Sequence, residues 1–334
     1  MGEYHSLSTS ASLNLPDRIV PRPRVTFALI AYNQAKFIGE AVAAALGQDY
    51  SPLEVILSDD CSSDETFEVM RLAAKTYCGP HSVVLRRNDR NLNIGGHINA
   101  VNAAASGDLV VVAAGDDVSL PDRVSRLVEA WLVAGKRPGL LHSACRVIDA
   151  ESKMLWDRGC QKLDALLTLE ATVLENAHVI GATEAWDRSM FNTFGDLRDD
   201  LVHEDVALTF RSLLADRPVM YVDQPLVNYR LAAGITATYF DKSSRGRAAR
   251  ISLLKRLRTD VRQKLDDLRV IPNPRIQELM ENSLARYDVA ILFEQKMQGP
   301  LECIRLAKRV GLLFVMKMVA KRIVNEFRDW RCAD

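Results

Sequence analysis

Apolar residues in this chain fall in short unbroken runs separated by longer amphipathic stretches. "VTFALI" (25–30), "LEVILSDD" (53–60), "SVVLRRN" (82–88) and "DLVVVAA" (108–114) have the length and β-branched character of buried strands. Between them lie helical patterns. In "NQAKFIGEAVAAALGQ" Phe37, Ile38, Ala41, Val42 and Ala45 recur at helical spacing, with Asn33 placed as N-cap. "SSDETFEVMRLAAKTY" opens with Ser62 and Glu65 at capping-box spacing, and "IGGHINAVNAAAS" reads as a short helix. "LPDRVSRLVEAWLVAG" puts Val124, Leu127, Val128, Trp131 and Leu132 on one face. Four strand–helix units in succession predict an α/β fold, a Rossmann-like, mostly parallel sheet with helices on both faces. Ligands of such sheets bind beyond the carboxyl ends of the strands. The loops 31–34, 58–64, 87–96 and 113–119 are therefore where a site is expected.

From about residue 140 the pattern changes. "GLLHSACRVID" (139–149) and "PVMYVDQPLVNYRL" (218–231) read as further strands, and "HVIGATEAWDRSMFNTFGDL" (178–197) ends in a short helix. "HEDVALTFRSLLAD" (203–216) is amphipathic, with Val206, Leu208, Phe210, Leu213 and Leu214 apolar. From about 242 onward the chain is helical in character and rich in Lys and Arg.

Composition narrows the classes. Lys and Arg together number 43, as do Asp and Glu, and this balance argues against a nucleic-acid partner. The six cysteines (61, 78, 145, 160, 303, 332) form no Cys-x-x-Cys pair, which fits reduced thiols in a cytoplasmic protein. Residues 1–24 are Ser- and Pro-rich without an apolar core segment, and the run "VGLLFVM" (310–316) falls short of a membrane span.

The chemistry lies in three acidic pairs. Asp116 and Asp117 follow the fourth strand and repel one another unless a cation or donor is near. A hard divalent ion, Mg²⁺ or Mn²⁺, bridging a carboxylate to substrate phosphates is one use. Capping of the next helix by Asp117 or Ser119 is the other. Asp59 and Asp60 end the second strand, suited to accept from a base imide or ribose hydroxyl, or to form an Asx-turn. Glu204 and Asp205 lie roughly ninety residues further on, where a general base separate from the metal ligands is needed, or merely a helix start. No Gly-x-Gly-x-x-Gly, phosphate-loop, nucleophile-elbow or His-Glu-x-x-His pattern is present.

Taken in order, "VTFALIAYNQAKFIGEAVAAALGQDYSPLEVILSDDCSSDET", "NLNIGGHINAVNAAASGDLVVVAAGDDVSLPDR", "IGATEAWDRSMFNTFG", "HEDVALTFR" and "VNYR" resemble the family 2 glycosyltransferases of GT-A fold, over roughly residues 24–231. The resemblance implies inverting sugar transfer from a nucleoside-diphosphate sugar to a glycan or lipid-linked glycan acceptor, of the kind that builds bacterial cell-surface polysaccharide. It implies a catalytic domain (24–240, divided at 120 into nucleotide-sugar and acceptor halves); composition and pattern add a flexible tail (1–23) before it and a helical C-terminal region (241–334) after it. On it, Ala31, Tyr32, Asn33 and Asp60 line the nucleoside pocket, with Asn93 and Gly95 along the nucleotide. Asp116 holds the divalent ion with Asp117 close by, and Arg230 meets the diphosphate. Asp205 is the base and Glu204 positions it or the acceptor. The segment from Gly181 to Trp186, with His203, borders the acceptor.

Two departures stand out. Ala114 occupies the position where the family often has a first Asp, and no His follows "NYR". A non-catalytic nucleotide-sugar-binding or scaffold relative and a sugar nucleotidyltransferase are the rival readings. The basic stretch 305–331 leaves three uses open: peripheral contact with the inner face of a membrane, packing on the catalytic domain, or a homo-oligomer contact.

Overall fold

A computed structural model describes residues 22–158, 167–174, 177–231 and 247–295, with a few positions between 308 and 316. The stretch 305–331 lies almost wholly outside the described residues. Strands β1 (Val25–Ala31), β2 (Leu53–Asp59), β3 (Ser82–Arg87) and β4 (Leu109–Ala114) alternate with helices α1 (Ile38–Leu46), α2 (Thr66–Thr76) and α3 (Asn93–Ala104). After them come β5 (Val118–Ser119), α4 (Arg123–Val133), β6 (Leu140–Ile148), β7 (Met154–Arg158) and α5 (Leu169–Leu174). A 3₁₀ turn (Gly181–Thr183) leads to β8 (Ala185–Asp187), α6 (Ser189–Phe194), α7 (Glu204–Leu214) and β9 (Val219–Arg230). Helices α8 (Arg247–Val270) and α9 (Pro274–Gln295) follow.

One nine-stranded sheet has the order β3-β2-β1-β4-β8-β6-β9-β5, with β7 on β6. The first four strands are parallel, and β8 enters antiparallel between β4 and β6. Strands β1 and β2 are buried at every position, which is why they read as continuous apolar runs rather than alternating ones. One core cluster joins Phe27, Leu29, Val111 and Trp131 beneath α1 and α4. A second joins Ile30, Val112, Ile98 and Trp186 beneath α3 and α7. Helix α8 packs on α7 through Phe210, Leu214, Val261 and Leu268, in a third cluster that includes Ile276 and Met280 of α9.

Several local expectations change. Asn33 does not cap α1: it is left-handed (φ 52°), and the N-cap is Phe37. Its loop is stitched sideways to the next one. Asn33 N donates to Ser62 Oγ (2.9 Å), Gln34 N to Thr66 Oγ1 (2.8 Å), and Ser63 N to Asn33 Oδ1 (2.8 Å). Ser62 is thereby taken from the capping box, and Asp64 Oδ1 instead receives Thr66 N at the start of α2. Neither Asp117 nor Ser119 caps α4, whose N-cap is Asp122. Leu132, placed on the buried face of that helix, is 39% exposed.

Candidate active site

The carboxyl ends of β1, β2 and β4 open into one cleft of about 550 Å³, closed on its far side by the 180–182 turn and residues 202–205 at the start of α7. Ala31, Tyr32, Asn33, Asp60, Asn93, Asp116, Asp117, Gly181, His203, Glu204 and Asp205 all line it. The backbone around it is constrained: Asn33, Cys61 and Asn93 have φ of 52°, 63° and 58°. Such non-glycine conformations persist where surrounding contacts enforce them.

Each of the first two acidic pairs divides its work. Asp59 is fully buried; its Oδ2 accepts from Ser62 N (2.9 Å) and faces Arg87 Nε at 3.2 Å. Asp60 turns to the cleft. Its Oδ1 accepts from Asn88 Nδ2 (2.7 Å) and Leu92 N (2.9 Å), while Oδ2 has no protein hydrogen-bond partner among the described residues. Asp117 is held by Arg230 N at 2.7 Å, and burial beside Asp116 pushes its carboxyl well above the ordinary range. Burial also raises Asp116, which Gln34 and the Arg230 charge oppose.

The third pair meets a buried acid. Glu184 is fully buried, and neither carboxyl oxygen has a partner among the described residues. Desolvation and the Glu204 and Asp205 charges push it well up. Desolvation and the Asp205 charge likewise push Glu204 up to about 8. Asp205 accepts Val206 N at Oδ1 (2.8 Å), and its Oδ2 lies 3.9 Å from His178 Nε2. Gly181 admits this arrangement, since a Cβ there would sit 2.8 Å from Glu204 Oε1.

Three expected site residues do not line the cleft. Trp186 is fully buried in the core, with its indole N–H on Asn102 Oδ1 (3.2 Å). Gly95 is a packing glycine, because a Cβ there would come 2.2 Å from the Arg198 carbonyl oxygen. The Arg230 side chain is wholly buried and already occupied. Its Nε donates to Asp116 O (2.9 Å), and Nη1 to Asp149 O (2.8 Å) and Ser152 Oγ (3.1 Å). It braces the Asp116–Asp117 turn from behind rather than reaching a diphosphate.

Other cleft residues carried no sequence signal. His97 has a polar core position inside an otherwise ordinary helix, and Arg256 reaches the wall from α8. Arg123, fully buried, bonds Ser119 Oγ (2.9 Å) and Ala182 O (3.0 Å); desolvation lowers it to about 10 against the pull of Asp117 and Glu184. His203 Nδ1 lies 2.8 Å from Asp260 Oδ2, also on α8.

No three His, Cys, Asp or Glu side chains converge as a ligand set among the described residues. Ala114 lines the wall near Asp116. One buried carboxylate with a second behind it suits Mg²⁺ or Mn²⁺ that takes its remaining ligands from a diphosphate and water, not an all-protein cage.

This sheet order and cleft define a GT-A fold. The chain aligns over 93% of its length with 92% of S. aureus TarS 1–349 in complex with UDP (TM-score 0.54, 13% identity). It aligns over 91% with 88% of the mannosyltransferase PcManGT from Pyrobaculum calidifontis in complex with GDP-Man and Mn²⁺ (TM-score 0.54, 17% identity). Residues 26–136, about a third of the chain, match the model of Glycosyl transferase family 2. Among curated relatives, the succinoglycan biosynthesis protein ExoO of Rhizobium meliloti (strain 1021) is 32% identical over 161 residues, 48% of this chain and 45% of that one. The putative glycosyltransferase EpsE of Bacillus subtilis (strain 168) is 32% identical over 108 residues, 32% and 37% of the two chains. The chain thus spans less than half the length of these curated relatives.

Proposed function

We propose that this chain is an inverting glycosyltransferase that moves a sugar from a nucleoside-diphosphate sugar to a hydroxyl of a glycan or lipid-linked glycan, in bacterial cell-surface polysaccharide synthesis. One observation carries the reading. Asp60 and Asp116, at the ends of two parallel strands, share a single cleft with Glu204 and Asp205 at the start of α7. A relative named for succinoglycan biosynthesis supports the polysaccharide setting. The place of action is the cytoplasm, at the inner membrane face where the acceptor is lipid-linked; among the described residues no helix is long and apolar enough to cross a membrane.

Tyr32, 47% exposed at the cleft wall, offers a ring for the base, and Asp60 Oδ2 accepts from it. Asp116 would hold Mg²⁺ or Mn²⁺ against the diphosphate, and the bound ion supplies the charge that stabilises the leaving group. Asp205 takes the acceptor hydroxyl proton as that oxygen attacks the anomeric carbon on the face opposite the departing nucleotide. One C–O bond forms, one breaks, and the configuration inverts. Glu204, protonated at neutral pH, is a donor that orients the acceptor. A mass-spectrometric turnover assay tests this. Asp205→Asn keeps nucleotide binding and loses at least about 10²-fold in rate, as removal of a general base does. Undiminished turnover would remove Asp205 as base. Nucleotide binding without turnover of any donor by the wild type would make the chain a binding relative instead.

A further inference from the structure

Beneath the nucleoside side of the cleft, one guanidinium divides between two groups. Arg86 Nη2 donates to Asn88 Oδ1 (2.7 Å) and Nη1 to Ser58 Oγ (2.6 Å). The first arm fixes the Asn88 amide so that its Nδ2 donates to Asp60 Oδ1 (2.7 Å). The second arm sets the direction of a hydroxyl. Arginine can only donate, so the Ser58 oxygen accepts from it, and the arrangement that uses the Ser58 proton among these partners gives it to the other neighbour, His97 Nε2, at 2.7 Å. An accepting Nε2 places the imidazole proton on Nδ1. Nδ1 has no protein partner among the described residues and is not among the atoms closed off from solvent, and His97 lines the cleft. Desolvation lowers the ring to about 4, so it is neutral at physiological pH.

We propose that His97 is a base-reading residue whose Nδ1–H, oriented by Arg86 through Ser58, donates to a nucleobase carbonyl beside the ring N–H that Asp60 accepts. The two groups offer one cleft an acceptor and a donor. Their complement is a lactam edge, the N–H/C=O pair of uracil, thymine or guanine. Cytosine presents a bare ring nitrogen and an amino group there, the reverse polarity on nearly the same shape. This rests on the cleft being a nucleoside-diphosphate site, and it adds which bases that site admits.

Calorimetric titration of the full chain with UDP, TDP, GDP, CDP and inorganic diphosphate tests it, at one Mg²⁺ concentration. The tightest of UDP, TDP and GDP, written UDP below, is expected to bind at least about tenfold tighter than CDP. His97→Phe is expected to weaken UDP binding by roughly three- to tenfold, the loss of one neutral hydrogen bond, and to narrow the UDP/CDP ratio. His97→Asn, whose amide can stand near Nδ1, restores part of both. Affinity for inorganic diphosphate stays constant across the variants, which separates base reading from damage to the fold. An unchanged UDP/CDP ratio in His97→Phe overturns the proposal. Failure of every nucleoside diphosphate to bind the wild type overturns it together with the donor-site reading. Nitrogen-15 NMR of the wild-type imidazole gives an independent check, in which an Nε2–H tautomer sinks it.

Discussion

Replacing Arg230 by Met separates a bracing role from a ligand-binding one. Met keeps the stem near the Phe37 ring, over which the guanidinium carbon sits at 4.6 Å. It leaves the Asp116 and Asp149 carbonyls without their donors. Hydrogen bonds to a charged group contribute about 1.5–3 kcal/mol each, so two buried ones sum to roughly 3–6 kcal/mol. The pair with Glu40, whose side chain is 51% exposed, adds little. Relief from burying a cation offsets part of the loss, leaving about 3 kcal/mol. In a chain of this size that lowers Tm by roughly 6–9 °C, at about 2–3 °C per kcal/mol. The backbone N–H of residue 230 still holds Asp117 Oδ1, so the turn loosens at Asp116 and does not dissolve. Calorimetry should therefore show the Tm drop, and titration with UDP should show a several-fold loss confined to the Mn²⁺-dependent part of the affinity. An unchanged Tm with a large loss of diphosphate affinity would refute the brace, and would mean that the guanidinium leaves its buried site to meet the ligand.

Three further outcomes follow from the same geometry. Asp116→Asn should abolish the increment in nucleotide affinity that Mn²⁺ provides while leaving metal-free affinity in place, as read by titration with and without chelator. Gly95→Ala should cost about 1–3 kcal/mol in urea unfolding, because its Cβ would press on the Arg198 carbonyl and force α3 away from the 198–201 loop. Glu204, raised to about 8, binds its proton more tightly folded than unfolded. Its stabilising contribution is full below its unfolded value near 4.5 and is lost as pH climbs through about 8. Tm of the wild type should accordingly fall across that window, and Glu204→Gln should flatten the fall; parallel curves would count against a protonated Glu204.

The centre of the sheet was legible because β1, β2 and β4 are buried on both faces, and this writes an uninterrupted apolar run that periodicity cannot disguise. The acidic pairs were legible as pairs because they interrupt those runs at their ends. Which member of a pair faces the ligand was not. Asp59 is withdrawn by Arg87 and Ser62, and Asp117 by the backbone of Arg230, 113 residues away. Nothing local distinguishes two adjacent aspartates until those partners arrive. Trp186 misled for a related reason. The family resemblance put the segment Gly181 to Trp186 at the acceptor border, but the antiparallel insertion of β8 between β4 and β6 carries Trp186 into the core, where Asn102 meets its indole.

The contribution of α8 was hidden by a different cause. Sequence periodicity searches for apolar stripes, and the buried face of this helix is largely polar. Thr259, Asp260, Gln263, Lys264 and Asp267 are all buried, at helical spacing. Each meets a specific partner. Asp267 pairs with Arg211 of α7 at 3.0 Å, Gln263 Oε1 receives Arg198 N (2.8 Å), and Lys264 Nζ donates to Thr172 O (2.7 Å). Asp260 holds His203, next to Glu204. To any hydrophobicity scale such a helix looks like a solvated appendage. Yet a polar face of this kind tolerates few alternative registers, because a slip strands buried charges without partners. That fixed register is what brings Arg256 and the His203–Asp260 contact to the cleft beside the proposed base. The helix that periodicity would set aside as an appendage is therefore part of the wall against which an acceptor must fit.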